Sequence, residues 1–382
     1  MDVYLDNHST TPCDPRVVDA MLPWFTEQPG NAASRSHKWG YAARSATEHA
    51  RGQLAERLGC SPKELVFTSG ATESDNLAVL GVLRANRDRG DHLITVATEH
   101  KAVLDAARQA EAEGFRVTVL PCNPDGTVAL QRISEAITDR TVLVSVMWAN
   151  NEVGTLQPMA EITALCHERG VWVHTDAAQA LGSCDLDLGA VPVDLMSLSA
   201  HKAYGPKGVG ALFVRRTRPR VKIEPLQYGG GHERGIRSGT LPVPLIVGFG
   251  VAASLFDPDE VKRIAGLRDQ LREGLLAVGG VEVNGSENRL AGNLHVYIEG
   301  VEAEALMMGC RSIAMSSGSA CTSATLAPSH VLRAMGLDPD RAAGSIRFGL
   351  GRFNTEAQIE FAVQQLGAKI TELRAMAHLY EV

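Results

Sequence analysis

The 382-residue chain has no Cys-x-x-Cys pair; its seven cysteines are scattered along it. An odd, dispersed set excludes a disulfide framework and offers no structural zinc site. Basic residues are not in excess either. The 37 Lys and Arg stand against 44 Asp and Glu, a net charge of −7, so direct nucleic-acid binding is not indicated. No basic stretch followed by an apolar run opens the chain, so no secretory signal is read and a reducing, cytoplasmic compartment is expected. The longest apolar run, 241–256, is interrupted by Pro242, Pro244 and glycines. It is too short and too broken to span a membrane, and a buried helix is expected there. Internal repeats and low-complexity tracts are lacking. What remains is ordinary for a globular enzyme: 45% hydrophobic and 21% charged residues, over a length that supports a full core and two domains.

Short apolar, mostly β-branched runs recur between about residues 40 and 215. They lie at Leu65 to Thr68, Leu93 to Val96, Val117 to Leu120, Val142 to Met147, Val171 to His174 and Leu195 to Leu198. Helical patterns lie between several of them, and Thr47 to Leu58 reads as a helix closed by Gly59. The alternation predicts an α/β fold with a largely parallel sheet covered by helices on both faces. Ligands in such sheets bind beyond the carboxyl ends of the strands. Thr72, His100, Asn151, Asp176 and Lys202 all follow predicted strands, so they are expected to converge. A second, smaller α+β unit begins near Asp257. It ends in a helix whose apolar stripe is Ile359, Ala362, Val363, Leu366, Ile370 and Leu373. The expected division is a large domain at 13–256 and a small one formed by 1–12 with 257–382.

The chemistry-bearing residues cluster in a few segments. Lys202 lies in Ser199-Ala-His-Lys-Ala-Tyr-Gly205, downstream of Asp176 in His174-Thr-Asp-Ala-Ala-Gln179. An amine that condenses with an aldehyde, and a carboxylate that keeps a ring nitrogen protonated, are what a pyridoxal phosphate (PLP) enzyme needs. Ser69-Gly-Ala-Thr-Glu-Ser-Asp-Asn76 reads as a strand-to-helix turn whose N–H groups and Thr72 hydroxyl suit a phosphate. Ser199 and His201 add donors to it, and Gln179 can reach a phenolic oxygen. His100 can stack on a flat ring, and Arg347, helped by Asn31 and Asn151, can clamp a carboxylate. Cys321 lies in a segment of small residues, 316–327, that reads as a mobile loop carrying one thiol. Cys166 and Cys310 read as packing residues, and the other four cysteines sit at element ends. Read singly, each site residue has a plain alternative. Thr72 or Ser74 is a helix cap, Asp176 a turn residue, Lys202 a solvated loop lysine, Arg347 a surface ion pair, and the glycine-rich 229–240 stretch a flexible loop.

Together these segments resemble the NifS/IscS-type cysteine desulfurases, class-V members of the fold-type-I PLP enzymes. The likeness covers nearly the whole chain. It includes Tyr4-Leu-Asp-Asn with Thr10-Thr-Pro, Asn31-Ala-Ala-Ser-Arg-Ser-His37, Phe67-Thr-Ser-Gly-Ala-Thr-Glu-Ser-Asp-Asn76, Thr98-Glu-His-Lys-Ala-Val-Leu104, Asn150-Asn-Glu-Val-Gly154 and Ser316-Ser-Gly-Ser-Ala-Cys321. The resemblance implies a large domain with a mainly parallel seven-stranded sheet, and a homodimer. It implies that Lys202 carries PLP, Asp176 pairs with the ring nitrogen, Gln179 meets the phenolic oxygen and His100 stacks on the ring. Ala71, Thr72, Ser199 and His201 would hold the phosphate, with Thr240 arriving from the partner subunit. Asn31, Asn151 and Arg347 would hold the substrate carboxylate.

The implied reaction takes sulfur from L-cysteine, with Cys321 as nucleophile, leaving L-alanine and a Cys321 persulfide. An iron–sulfur scaffold or a tRNA-thiolation sulfurtransferase would receive the sulfur. No metal site is read with certainty; Cys321 is the one candidate cluster ligand, through its persulfide. Two rivals are another PLP reaction, such as a transaminase or selenocysteine lyase, and a non-catalytic sulfur-transfer scaffold subunit. Two departures stand out. His8 and Ser9 occupy a stretch that in relatives reads Asn-Ala or Ser-Ala, and the chain stops at Val382, short of the C-terminal extension that the housekeeping enzyme offers its scaffold.

Overall fold

Side chains alternate between two apolar cores along the strands of the main sheet. The computed structural model describes residues 1–216, 220–317 and 329–380. Its seven-stranded sheet runs, in spatial order, Leu65–Thr68, Gly210–Val214, Leu195–Ser199, Trp172–Asp176, Thr141–Ser145, His92–Val96 and Arg116–Leu120. Phe67, Val144, Val173, Met196 and Phe213 belong to one core, completed by Leu54, Ile162 and Phe249 from covering helices. Their chain neighbours Val66, Leu143, Trp172, Leu195 and Leu212 belong to the other, completed by Leu80, Leu83 and Ala106. A sheet buried on both faces reads as continuous apolar runs, which is why the strands are visible in the sequence.

Neighbouring strands are parallel except where Gly210–Val214 is inserted, antiparallel to both Leu65–Thr68 and Leu195–Ser199. That strand was not among the expected runs. Its direction follows from a short return after Lys202, with no crossover helix between. The helix expected from Thr47 starts earlier, at Lys38, because the His37 ring accepts the Gly40 N–H at 3.1 Å. Its end is as read: Gly59 takes φ +65° and closes it. Helix Ala71–Asn76 continues through a π-helical stretch, Leu77–Gly81, to Val82–Ala85. Gly81 is required there, since a Cβ would sit 2.7 Å from the Glu224 carbonyl oxygen. The interrupted apolar run becomes the buried helix Val243–Ser254.

The remaining elements build a second core. Strands Ser316–Ser317, Ser345–Gly349, Asn293–Ile298 and Val281–Val283 form an antiparallel sheet in that order. Helices Pro258–Leu276 and Glu356–Tyr380 cover it, burying Leu267, Leu271, Ile359, Leu366 and Ile370 against Leu294, Val296 and Phe348. Asp257 caps the first of these by accepting the Asp259 N–H. The N-terminal residues join this core: Val3–Tyr4 pairs in parallel with Ile313–Ala314, and Leu5 is fully buried. Of the expected 316–327 loop, the first two residues are strand. Cys321 lies outside the described residues.

Two polar contacts inside the fold have measurable consequences. Arg51 donates to both carboxylate oxygens of Glu233 at 2.8 Å, with side chains only 3% and 2% exposed. Glu233 also accepts the Phe67 N–H, and it lies with Arg234 in left-handed backbone, φ +47° and +59°. Arg51→Ala leaves a buried carboxylate unpaired, so it should cost roughly 3–5 kcal/mol, read as a lowered urea midpoint. Glu152 is buried beside the Ser329 hydroxyl, which donates to it. Burial pushes its carboxyl up to about 7. The folded chain therefore keeps a proton that the unfolded chain releases from about pH 4.5 upward, so this group's contribution to stability falls as pH rises through that window and stays low above 7. Glu152→Gln should remove that fall, on the order of 3 kcal/mol, measured as urea midpoints from pH 5 to 8.

Candidate active site

The strand ends Thr68, Asp176 and Ser199 place the site residues. After Thr68, Gly70 turns the chain and leaves the N-terminus of helix Ala71–Asn76 without a side-chain cap. A Cβ built on Gly70 meets nothing within 4 Å, so space lies open at this turn. The Ser69 N–H is taken by Glu73 at 2.7 Å, and Glu73 is held by Arg237 at 2.8 Å. That contact ties the glycine-rich 229–240 stretch to the turn. Thr72 is exposed and Ala71 half-buried.

Asp176 ends its strand with its carboxyl buried and accepting the Ala178 N–H at 2.9 Å. Burial raises its pKa, while that N–H and the nearby His100 and Lys202 oppose the rise. Asp75 and Glu99 share the same interior. Burial, then the Asp176 charge, drives both well above the carboxylate range. Asp176 alone of the three has Lys202 and His100 among the groups that oppose its rise, so the charge is favoured there over Asp75 and Glu99. His174, beneath them, is bonded on both ring nitrogens to Ser145 and Ser197 at 2.8 and 2.9 Å. Burial lowers its pKa to about 3, so it is neutral.

Lys202 sits at the end of the short turn Ala200–Lys202 that follows the strand Leu195–Ser199. Its ammonium donates to the carbonyls of His8 and Ser9 at 2.5 and 2.7 Å. Tyr204, two residues on, takes the left-handed φ +62°. It is held there by its N–H to Thr11 Oγ1 and its hydroxyl, which accepts the Arg352 N–H, at 2.8 and 2.7 Å. The strain fixes the exit of the lysine turn. His201 meets Thr10 Oγ1 at 3.1 Å, and burial lowers its pKa to about 4.

Arg347 is not at the surface; its side chain is 4% exposed. It pairs with Asp6 at 2.8 Å, donates to Ser9 Oγ at 2.6 Å and Ser316 Oγ at 3.2 Å, and reaches the Asn151 carbonyl at 2.8 Å. Its buried Nε has no acceptor among the described residues. A carboxylate oxygen is the complement to that orphan donor.

The first nine residues, Asp176, Gln179, His201, Lys202 and Arg347 thus share one neighbourhood. Asn31 does not join them by any hydrogen bond; it is exposed and its Oδ1 accepts the Ala33 N–H. Thr240 is exposed at the end of its stretch, and Ser199 is buried at its strand end. Asp6, Asp75 and Glu99 were not singled out from sequence. Each lies inside a quoted segment, but a carboxylate's partners there are set by distant strands. The donor set is of the kind PLP takes: an amine beside a buried carboxylate, N–H groups at an open turn, and neutral acids that leave one negative charge for a ring nitrogen.

The Aminotransferase class-V model matches residues 3–361. A protein of Anaeromyxobacter dehalogenans (strain 2CP-C) named cysteine desulfurase IscS is 53% identical over 385 residues, covering 100% of this chain and 95% of that one. A solved NifS-like protein superposes with TM-score 0.90 at 36% identity, covering 97% of this chain and all of its own. A structure described as SspA in complex with cysteine gives TM-score 0.83 at 36% identity, over 92% of this chain and 100% of that one. With likeness of this extent in sequence and fold, the chain belongs to the class-V aminotransferase family, among its NifS/IscS-type cysteine desulfurases.

Proposed function

We propose that this chain is a PLP-dependent cysteine desulfurase that converts L-cysteine to L-alanine and leaves the sulfur on Cys321 as a persulfide. The observation that carries this reading is the Lys202 amine held at a strand end, near enough to the buried Asp176 carboxyl to oppose the rise of its pKa. Bound PLP supplies an electron sink that draws charge from the substrate α-carbon. Asp176 keeps a proton on the ring nitrogen, because a buried charge needs a partner. Gln179 would serve the phenolic oxygen, and His100 would lie against the ring. Ala71, Thr72, Ser199 and His201 would hold the phosphate, joined by Thr240 of a second subunit. Arg347 orients the substrate carboxylate with Asn151 beside it, and Asn31, exposed and apart from them, is assigned to the same carboxylate from the family resemblance alone. Lys202 moves the α-proton, and His100 assists.

Thiol chemistry supports Cys321 as the nucleophile. Burial raises the pKa of Cys13, Cys60, Cys122, Cys166, Cys184 and Cys310. Cys60, Cys166 and Cys184 reach about 12, where thiolate is negligible at neutral pH. The acceptor of the sulfur is a protein, either an iron–sulfur scaffold or a tRNA-thiolation sulfurtransferase. Residues 13–256 form the cofactor domain, and 1–12 with 257–382 the domain that carries Cys321. No helix of the described residues is long and apolar enough to cross a membrane, and we place the enzyme in the cytoplasm.

Cys321→Ser should keep the visible absorbance of bound PLP while alanine formation from L-cysteine drops at least about a hundredfold. Undiminished turnover would exclude the persulfide route. Lys202→Ala should lose the borohydride-reducible chromophore, measured by absorbance and by mass after reduction. Alanine released only with a keto-acid acceptor would mean a transaminase instead.

A further inference from the structure

His8 is buried against the site, at 6% exposure. Both ends of the Gln179 amide are bound to it. Gln179 Nε2 donates to the His8 carbonyl at 2.9 Å, and Gln179 Oε1 lies 3.2 Å from His8 Nδ1. The first contact fixes which end of the amide is oxygen. An amide oxygen only accepts, so the proton of the neutral imidazole must be on Nδ1, and Nε2 is a bare acceptor. The ring is neutral: burial, then Arg347, lowers its pKa to about 3. Gly349 leaves the room it needs, since a Cβ there would approach the ring at 3.0 Å and the His8 nitrogen at 2.8 Å.

A plain filler is a poor account of this histidine. Its Nε2 is buried with no partner among the described residues, a cost that leucine would not carry. The compensating feature is the Nδ1–H bond. With one amide hydrogen on the His8 carbonyl and the oxygen on the His8 ring, Gln179 keeps one N–H, for which no acceptor is found among the described residues.

We infer that His8 is a positioning residue: its Nδ1–H fixes the Gln179 amide so that the remaining N–H serves the phenolic oxygen of bound PLP. This rests on the PLP reading above. A donor held to that oxygen favours its anionic form. Replacing His8 by Leu removes the tie on the amide oxygen and leaves the amide held only by the residue-8 carbonyl. The pH titration of the bound chromophore should then move upward by roughly 0.5–1 unit, and PLP should bind about 3–10-fold more weakly.

The test is a spectral pH titration and equilibrium PLP binding for wild type, His8→Leu and His8→Asn. Asn keeps an N–H donor near the Nδ1 position, so it should titrate like wild type. Should His8→Leu fail to fold, His8→Ala removes the ring with no demand for space. A deletion variant that titrates and binds like wild type overturns the role of His8, as does an Asn variant shifted as far as the deletion. Wild-type protein that takes up no PLP overturns the functional reading and this inference together. Wild type that binds PLP beside an unshifted deletion variant overturns the inference alone.

Discussion

One negative charge, kept in an interior where water cannot reach it, is the constraint that organises this molecule. Three carboxyl groups, Asp75, Glu99 and Asp176, share that interior, and low dielectric forbids ionising all of them. The backbone N–H of Ala178, with His100 and Lys202 nearby, favours the charge on Asp176. The parallel strands exist, from the site's viewpoint, to hold that carboxylate at a strand end beside the turn that carries Lys202. Two apolar cores lock the strand register, and a one-residue slip would exchange the faces and move the charge away.

The chain's first residues complete the arrangement from outside the main sheet. They accept the lysine ammonium on two carbonyls, hold Gln179, and set Asp6 against Arg347. The same residues are anchored in the second core by Leu5 and by pairing with Ile313–Ala314. Arg347 and Lys202 come from different cores yet meet through this one N-terminal segment. Relative movement of the cores would be felt at once by both side chains.

Much of this was legible in the residues. Strands buried on both faces announce themselves as apolar runs, as at Leu65 and Leu195, and Gly59 and Asp257 mark helix ends by their backbone and capping chemistry. Lys202 and Asp176 could be paired because each follows such a run. The reversed strand Gly210–Val214 was not legible, since direction depends on how the chain returns and not on composition. The early start of the first long helix was hidden because its opening turns bury only Gly40 and Ala43 and leave Trp39 and Tyr41 exposed, so no core-facing stripe shows there. Arg347 read alone suggested a surface ion pair; its ion pair is real but buried, and its partner Asp6 is remote in sequence. The family resemblance gave roles to these residues, whereas the ties among His8, Gln179 and the lysine come only from three dimensions.

The joining of Asp6 with Gly349 has a consequence for biosynthesis. The ribosome releases residue 6 first, but its docking strand emerges only when the protein is nearly finished. During translation the amine at 202 would be synthesised, and its sheet assembled, while the cover over it still lacked an anchor. The nascent chain therefore matures from the inside outward, and the carbonyls over Lys202 and the Asp6–Arg347 pair come into place in the same late event.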